Sequence, residues 1–169
     1  MTHPDFGGAS VTYPHKLRIR SLLHSISPRA EKIGAVNTVV VREVSGERGL
    51  LGDNTDWEGI KACVLKNDVD LKGKSALILG AGGAARAAVF AVQEMGIMDV
   101  VVNRTRAKAK DVVNDFDKLR FRVFGSLGEV CSSGERDSRV VIACVPTEMG
   151  WVRRRSWMRC LIELSLGCW

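Results

Sequence analysis

The chain has 169 residues, 46% of them hydrophobic, and a formal net charge of +6. That length builds one ordinary domain or two small ones, and no segment is long and apolar enough to span a membrane. The five cysteines are odd in number, widely spaced and without a C-x-x-C, so they indicate neither a disulfide framework nor a zinc site, and most read as small core residues in a reducing, cytoplasmic setting.

In chain order, residues 9–13 are expected as a short strand ending at Pro14. Ile19, Leu22, Leu23 and Ile26 then recur at helical spacing, giving one apolar face. Ser27-Pro28 suits an N-cap with proline at the first helical position, opening a short helix to Ile33. Residues 36–41 are β-branched and strand-like, Ser45-Gly46 marks a turn, and Leu50-Leu51 begins the return strand of a hairpin. Asn54 or Thr55 can cap a helix from Asp56 to about Lys66. A polar break over 67–73 reads as the domain boundary. Beyond it the pattern predicts strand 75–79, helix 84–95, strand 99–102, helix 106–116, a less regular 121–130, and strand 140–144 stopped by Pro146. Strands alternating with helices imply a parallel, doubly wound sheet with right-handed crossovers. Residues 149–169, with three tryptophans, an arginine triplet and two cysteines, lack clear periodicity and read as an atypical tail.

The run 75–105 carries the strongest signal. An apolar strand leads into Gly80-Ala81-Gly82-Gly83-Ala84-Ala85, an Ala-rich helix follows, and a second apolar run ends at Asn103-Arg104-Thr105. These are the parts of a dinucleotide-binding βαβ unit. Gly80 permits the sharp turn off the strand. Gly82 lets a pyrophosphate approach the backbone, and Ala85 lets the helix pack close to the sheet. An NAD site carries an acid about 20 residues after the glycines, for the ribose 2′-OH. Here that place holds Arg104 and Thr105, with Arg106 and Lys108 beyond. A guanidinium and a hydroxyl suit a 2′-phosphate, so the implied cofactor is NADP. Part of the positive charge sits on this turn and more lies in Arg153-Arg154-Arg155, without aromatic interleaving through the body of the chain, which argues against nucleic acid.

Three earlier runs complete a recognisable order: Ser10-Val-Thr-Tyr-Pro-His-Lys16, Ile33-Gly-Ala-Val-Asn-Thr38 and Gly52-Asp-Asn-Thr-Asp-Trp57. With Gly80–Ala85 and Asn103–Thr105, they resemble the shikimate dehydrogenase family over roughly residues 5–148. The Phe6-Gly-Gly-Ala-Ser-Val-Thr wording looks most like fungal members, among them the last domain of the pentafunctional AROM protein and the quinate repressor proteins. The resemblance implies an α/β chain: a partial substrate-binding domain over 1–67, then a Rossmann-like doubly wound parallel sheet over 68–148, incomplete at its C-terminus.

The resemblance also implies roles. Lys16 matches the catalytic lysine and Asp56 its aspartate partner; Asn37 and Thr12 match substrate-contacting residues. The residue types suit the chemistry. Hydride arriving at a carbonyl carbon leaves an alkoxide, which a lysine ammonium stabilises and protonates while a carboxylate orients the lysine. His15 receives no role, and His3 and His24 read as structural or exposed. Family members also carry an N-terminal Ser-x-Ser element and a C-terminal Gln-containing helix. Neither pattern is found here, so the chain reads as truncated at both ends and its activity alone is in question. Two functions fit: NADP-dependent reduction of 3-dehydroshikimate to shikimate, or a quinate-repressor-like regulator that binds shikimate-pathway metabolites and a protein partner without turnover. A third is a nucleotide-binding fragment of a larger multifunctional chain.

Overall fold

The computed structural model describes residues 3–44, 46–66, 73–116, 121–133, 138–145 and 162–163. Two sheets organise them. In the first, β1 (Gly8–Ser10), β3 (Thr38–Val44), β4 (Glu47–Asp53) and β2 (Ser25–Ile26) lie in the order β1-β3-β4-β2. The expected hairpin is the centre of this sheet: β3 and β4 pair antiparallel from Thr38↔Asp53 to Val44↔Glu47. Its strand starts two residues later than the β-branched run suggests, because Val36 donates its N–H to the Lys16 carbonyl at 2.9 Å rather than to a ladder partner.

Two expectations for the first 26 residues are corrected. Strand pairing stops at Ser10, since Val11 donates to the Asn37 carbonyl and the chain then turns through Thr12–His15. The apolar residues at helical spacing do not form one helix. Ile19–Leu22 is a single 3-10 turn, and Ser25–Ile26 is β2, parallel to β4. A short apolar run leaves helix and strand ambiguous, and here pairing with β4 decides.

The short helix α1 (Pro28–Ile33) begins as its sequence indicates. Ser27 Oγ accepts from Ala30 N at 3.1 Å, and Gly34 closes the helix at φ 75°. The helix α2 (Asp56–Lys66) is fixed at its start by Asn54, whose Oδ1 accepts from Asp56 N at 3.0 Å while its Nδ2 donates to the Ala35 carbonyl at 2.9 Å.

The second sheet contains β5 (Ser75–Leu79), β6 (Met98–Val102), β7 (Phe121–Phe124), β8 (Ser138–Ala143) and β9 (Ile162–Glu163), in the order β7-β6-β5-β8-β9 with every pairing parallel. The helices are α3 (Gly83–Glu94), α4 (Arg106–Asn114) and α5 (Leu127–Ser132). The irregular 121–130 stretch thus resolves into β7 and the start of α5, whose cap Ser126 accepts from Glu129 N. Alternate residues of the strands face opposite layers. Ala76, Ile78, Val101 and Ile142 pack with α3, whereas Leu77, Leu79, Val100 and Val102 pack with Val130 of α5. A sheet buried on both faces is what the continuous apolar strands require. Ala87, Ala88 and Ala91 are fully buried, so α3 lies close to the sheet.

All of the 67–73 break but Gly73, and most of the tail, fall outside the described residues. Residues 162–163 do not stand apart from the fold, since they form β9 on the β8 edge. Of the cysteines, Cys131 is exposed, Cys63 is half-buried, Cys144 packs against the core, and Cys160 and Cys168 lie outside the described residues.

Candidate active site

The strand order reverses between β5 and β8, because the chain leaves β5 toward β6 on one side and returns to β8 on the other. Ligands of open parallel sheets bind at such a switch point, beyond the carboxyl ends of the strands. Gly80 ends β5 there. Its φ of 120° suits glycine, and a Cβ would lie 2.9 Å from the carbonyl oxygen of Cys144 at the end of β8. Gly82 is exposed, with nothing of the chain within 4 Å of where its Cβ would stand. The first turn of α3 carries no acid, so its free N–H groups and the helix dipole favour an anion. Ala85 is wholly buried against the sheet, while Ala81 and Ala84 keep partial exposure.

At the end of β6, Asn103 Nδ2 donates to the Thr105 carbonyl at 2.7 Å and shapes the turn into α4. Arg104, Thr105 and Lys108 are exposed, and no carboxylate of the described residues pairs with Arg104 or Lys108. Arg106 differs: its guanidinium binds the Glu129 carboxylate of α5.

The second half of the site comes from the segments around the other sheet, with Lys16 on a turn, Asn37 just before β3 and Asp56 at the start of α2. Lys16 Nζ lies 2.7 Å from Asp56 Oδ2, with both side chains largely shielded. Asn37 donates from Nδ2 to the other Asp56 oxygen, Oδ1, at 2.7 Å, and to Thr55 Oγ1 at 3.1 Å. Its Oδ1 accepts from Thr38 Oγ1 at 2.8 Å and from Thr55 N at 2.9 Å. Both N–H groups and both lone pairs of the amide are therefore in use. Thr12 lies exposed on the turn that carries Lys16, and its carbonyl accepts from His15 N.

The halves meet at Gly83, where a Cβ would lie 2.8 Å from Lys16 Cβ. Any larger residue at the head of α3 would push the lysine turn away. Cys144 completes the junction: burial pushes its thiol up to about 12, Asp56 adds to the rise, and Lys16 opposes it. An ion pair, a polar amide and an anion-ready helix terminus thus converge at one switch point.

Two family descriptions match this chain: "Shikimate dehydrogenase substrate binding domain" over residues 1–39 and "Shikimate / quinate 5-dehydrogenase" over residues 63–163. The chain belongs to the shikimate dehydrogenase family. A pentafunctional AROM polypeptide of Schizosaccharomyces japonicus is 47% identical over 114 residues, covering 66% of this chain and 7% of that protein. A quinate repressor protein of Emericella nidulans is 36% identical over 147 residues, covering 75% of this chain and 16% of the repressor. The shikimate 5-dehydrogenase of Thermus thermophilus, solved in complex with NADP(H) and shikimate, superposes with a TM-score of 0.67 at 35% identity, covering 84% of this chain and 49% of that one. The chain thus spans a small part of these curated relatives and about half of the solved dehydrogenase.

Within this shikimate dehydrogenase family member, Asp56 falls between the two matched ranges, yet it pairs with Lys16. The second match runs to residue 163, past Glu148 where the motif resemblance ends. The motifs draw attention to Lys16, Asn37 and Asp56. They do not single out Thr38 and Thr55, which hold Asn37, or Arg86, which binds the Ile33 carbonyl at 2.6 Å. Their signal is only that they lie inside or beside the motifs.

Proposed function

We propose that this chain carries the active site of an NADP-dependent shikimate dehydrogenase, which interconverts 3-dehydroshikimate and shikimate. The observation that supports this best is the Lys16–Asp56 pair, 2.7 Å apart and set against Gly83 at the head of the nucleotide loop. In this reading residues 1–67 serve the substrate and 68–148 the nucleotide. A cytoplasmic, fungal-type biosynthetic setting goes with it.

Gly80–Ala85 and the N-terminus of α3 would hold the pyrophosphate. Asn103, Arg104, Thr105 and Lys108 would hold the 2′-phosphate, for which no acid of α4's first turn competes. A reduced nicotinamide held there would supply the hydride. The chain's own residues do the rest. Lys16 stabilises the substrate oxygen as charge develops and delivers its proton; Asp56 aims Lys16 through Oδ2. Asn37 fixes Asp56 through Oδ1. A ring hydroxyl would take the place of Thr55 Oγ1 on the Asn37 amide, and Thr12 lies on the same turn as Lys16 to contact a second.

Oxidation of shikimate by the purified 169-residue chain, followed with NADP+ and NAD+ in parallel, tests the proposal. Turnover is expected with NADP+ preferred, and Lys16→Ala should lower kcat by about 10²–10⁴-fold with little change in the KM for shikimate. Lys16→Ala turning over like the wild type would sink the assignment. A second reading, a metabolite-binding regulator, draws support from the similarity to the quinate repressor. Binding of shikimate or quinate without any turnover would decide for it.

A further inference from the structure

Arg86 lies in the first turn of α3, where the helix dipole opposes a cation. The position suggests a phosphate ligand, but its guanidinium is spent elsewhere. Nε donates to the Ile33 carbonyl, the orphan acceptor at the end of α1, at 2.6 Å. One terminal nitrogen pairs with Asp115 Oδ2 at 2.5 Å, and the group stacks 5.8 Å from the Phe116 ring centroid, just past α4. Its side chain is only 12% exposed. Gly34 makes room for it: a Cβ there would lie 2.5 Å from a guanidinium nitrogen.

We propose that Arg86 is a positioning residue that clamps the head of α3 to the end of α1 and so fixes the spacing between the nucleotide loop and the Lys16–Asp56 pair. The geometry is direct. Arg86 N donates to Gly82 O, which ties the side chain's root to the glycine loop. At the other end, Ile33 leads through Gly34 and Ala35 to Val36, which bonds to the Lys16 carbonyl. The Gly83–Lys16 contact sits beside this clamp and has no polar bond of its own among the described residues. A single planar group with donors in fixed directions can serve α1 and α4 at once, which a lysine cannot.

The catalytic consequence rests on the dehydrogenase reading; the clamp itself does not. Arg86→Ala is expected to lower kcat by roughly 10²-fold, the cost of about 1 Å of misplacement, while the KM for shikimate and the binding of NADP+ change by less than about threefold. Gly34→Ala, which places a methyl group in the guanidinium's space, should reproduce the loss. Gly34→Ala also strains a φ 75° helix end, so the double variant should fall no further than Gly34→Ala alone, in which the clamp is already broken. Arg86→Lys should recover only part of the rate. Hydrogen exchange gives a reading independent of turnover. Amides of residues 33–37 and 82–87 should exchange at least about tenfold faster in Arg86→Ala, with the β3–β4 ladder unchanged. If the wild type neither binds NADP+ nor turns over, the dehydrogenase reading fails while the exchange result still judges the clamp. Unchanged exchange overturns the clamp, and unchanged kcat in an active enzyme overturns its catalytic role.

Discussion

Lys16 and Asp56 are 40 residues apart in sequence and meet because each is anchored by its neighbours. The lysine turn is tied to Val36, and the aspartate is tied to Asn54 and Asn37. Cys144 looks onto the same pair, and its pKa gives a test at the residue scale. Burial first, then the Asp56 charge, lifts it from 9.0 to about 12, with Lys16 pulling the other way. The folded chain therefore keeps a proton that the unfolded chain gives up. Stability from this group is intact below the unfolded value of 9.0 and is lost as pH rises toward about 12. Thiolate is the reactive form. Iodoacetamide at about pH 8 should therefore modify exposed Cys131 well before Cys144 in the folded chain, and both alike in urea. Equal labelling rates in the folded chain, read by peptide mass spectrometry, would contradict the assignment. The cysteine's type alone carried no hint of this: its environment comes from a strand end, the turn that carries Lys16 and the start of α2.

Among the elements, those with explicit end signals were legible from sequence. Ser27-Pro28 marks α1 and Gly34 ends it; Gly46 lies between β3 and β4; the glycine loop opens α3. The Ser27 cap is coupled to the site's approach, because Ser27 Oγ also donates to Asp53 Oδ1 at 2.5 Å, and the same oxygen accepts from Asn54 N at 2.8 Å. Ser27→Ala should cost about 1–2 kcal/mol in urea denaturation, toward the upper end for a cap, since the Asp53 oxygen also loses a donor. A loss below about 0.3 kcal/mol would show that the cap is dispensable. The apolar periods of β5, β6 and α4 were legible as well, whereas two stretches near the N-terminus differ from their sequence pattern. Ile19, Leu22, Leu23 and Ile26 have helical spacing, yet β4 supplies an edge that takes Ser25–Ile26 as a strand. Strand β1 is short because the chain must leave the sheet at Val11 to place the Lys16 turn against Val36.

Across the whole molecule, one apolar cluster joins α1 and α2 to the second sheet, while Ala30, Val36, Val39 and Leu50 form a separate cluster on the first sheet. Ile33, Ala35, Ile60 and Val64 pack with Ile78, Phe90, Val101 and Ile142, and Trp57 meets Phe90 edge-on at 5.2 Å. Such continuity predicts cooperative unfolding. Ile78 is fully buried in β5, so Ile78→Ala should cost about 2–5 kcal/mol and shift a single urea transition, followed by circular dichroism and by exchange of the β3–β4 amides. Loss of β5 protection with β3–β4 unmoved would show two independent units instead. By itself the sequence determined the alternation of strands and helices, the glycine turn, the basic turn after β6 and the family motifs. All of these are local patterns of residue type and spacing. Only the tertiary structure decided that Asn37 spends its amide on Asp56, that Gly83 is small to admit Lys16, and that Arg86 clamps α1 rather than facing a phosphate. Those facts depend on contacts between segments tens of residues apart, which no local pattern encodes.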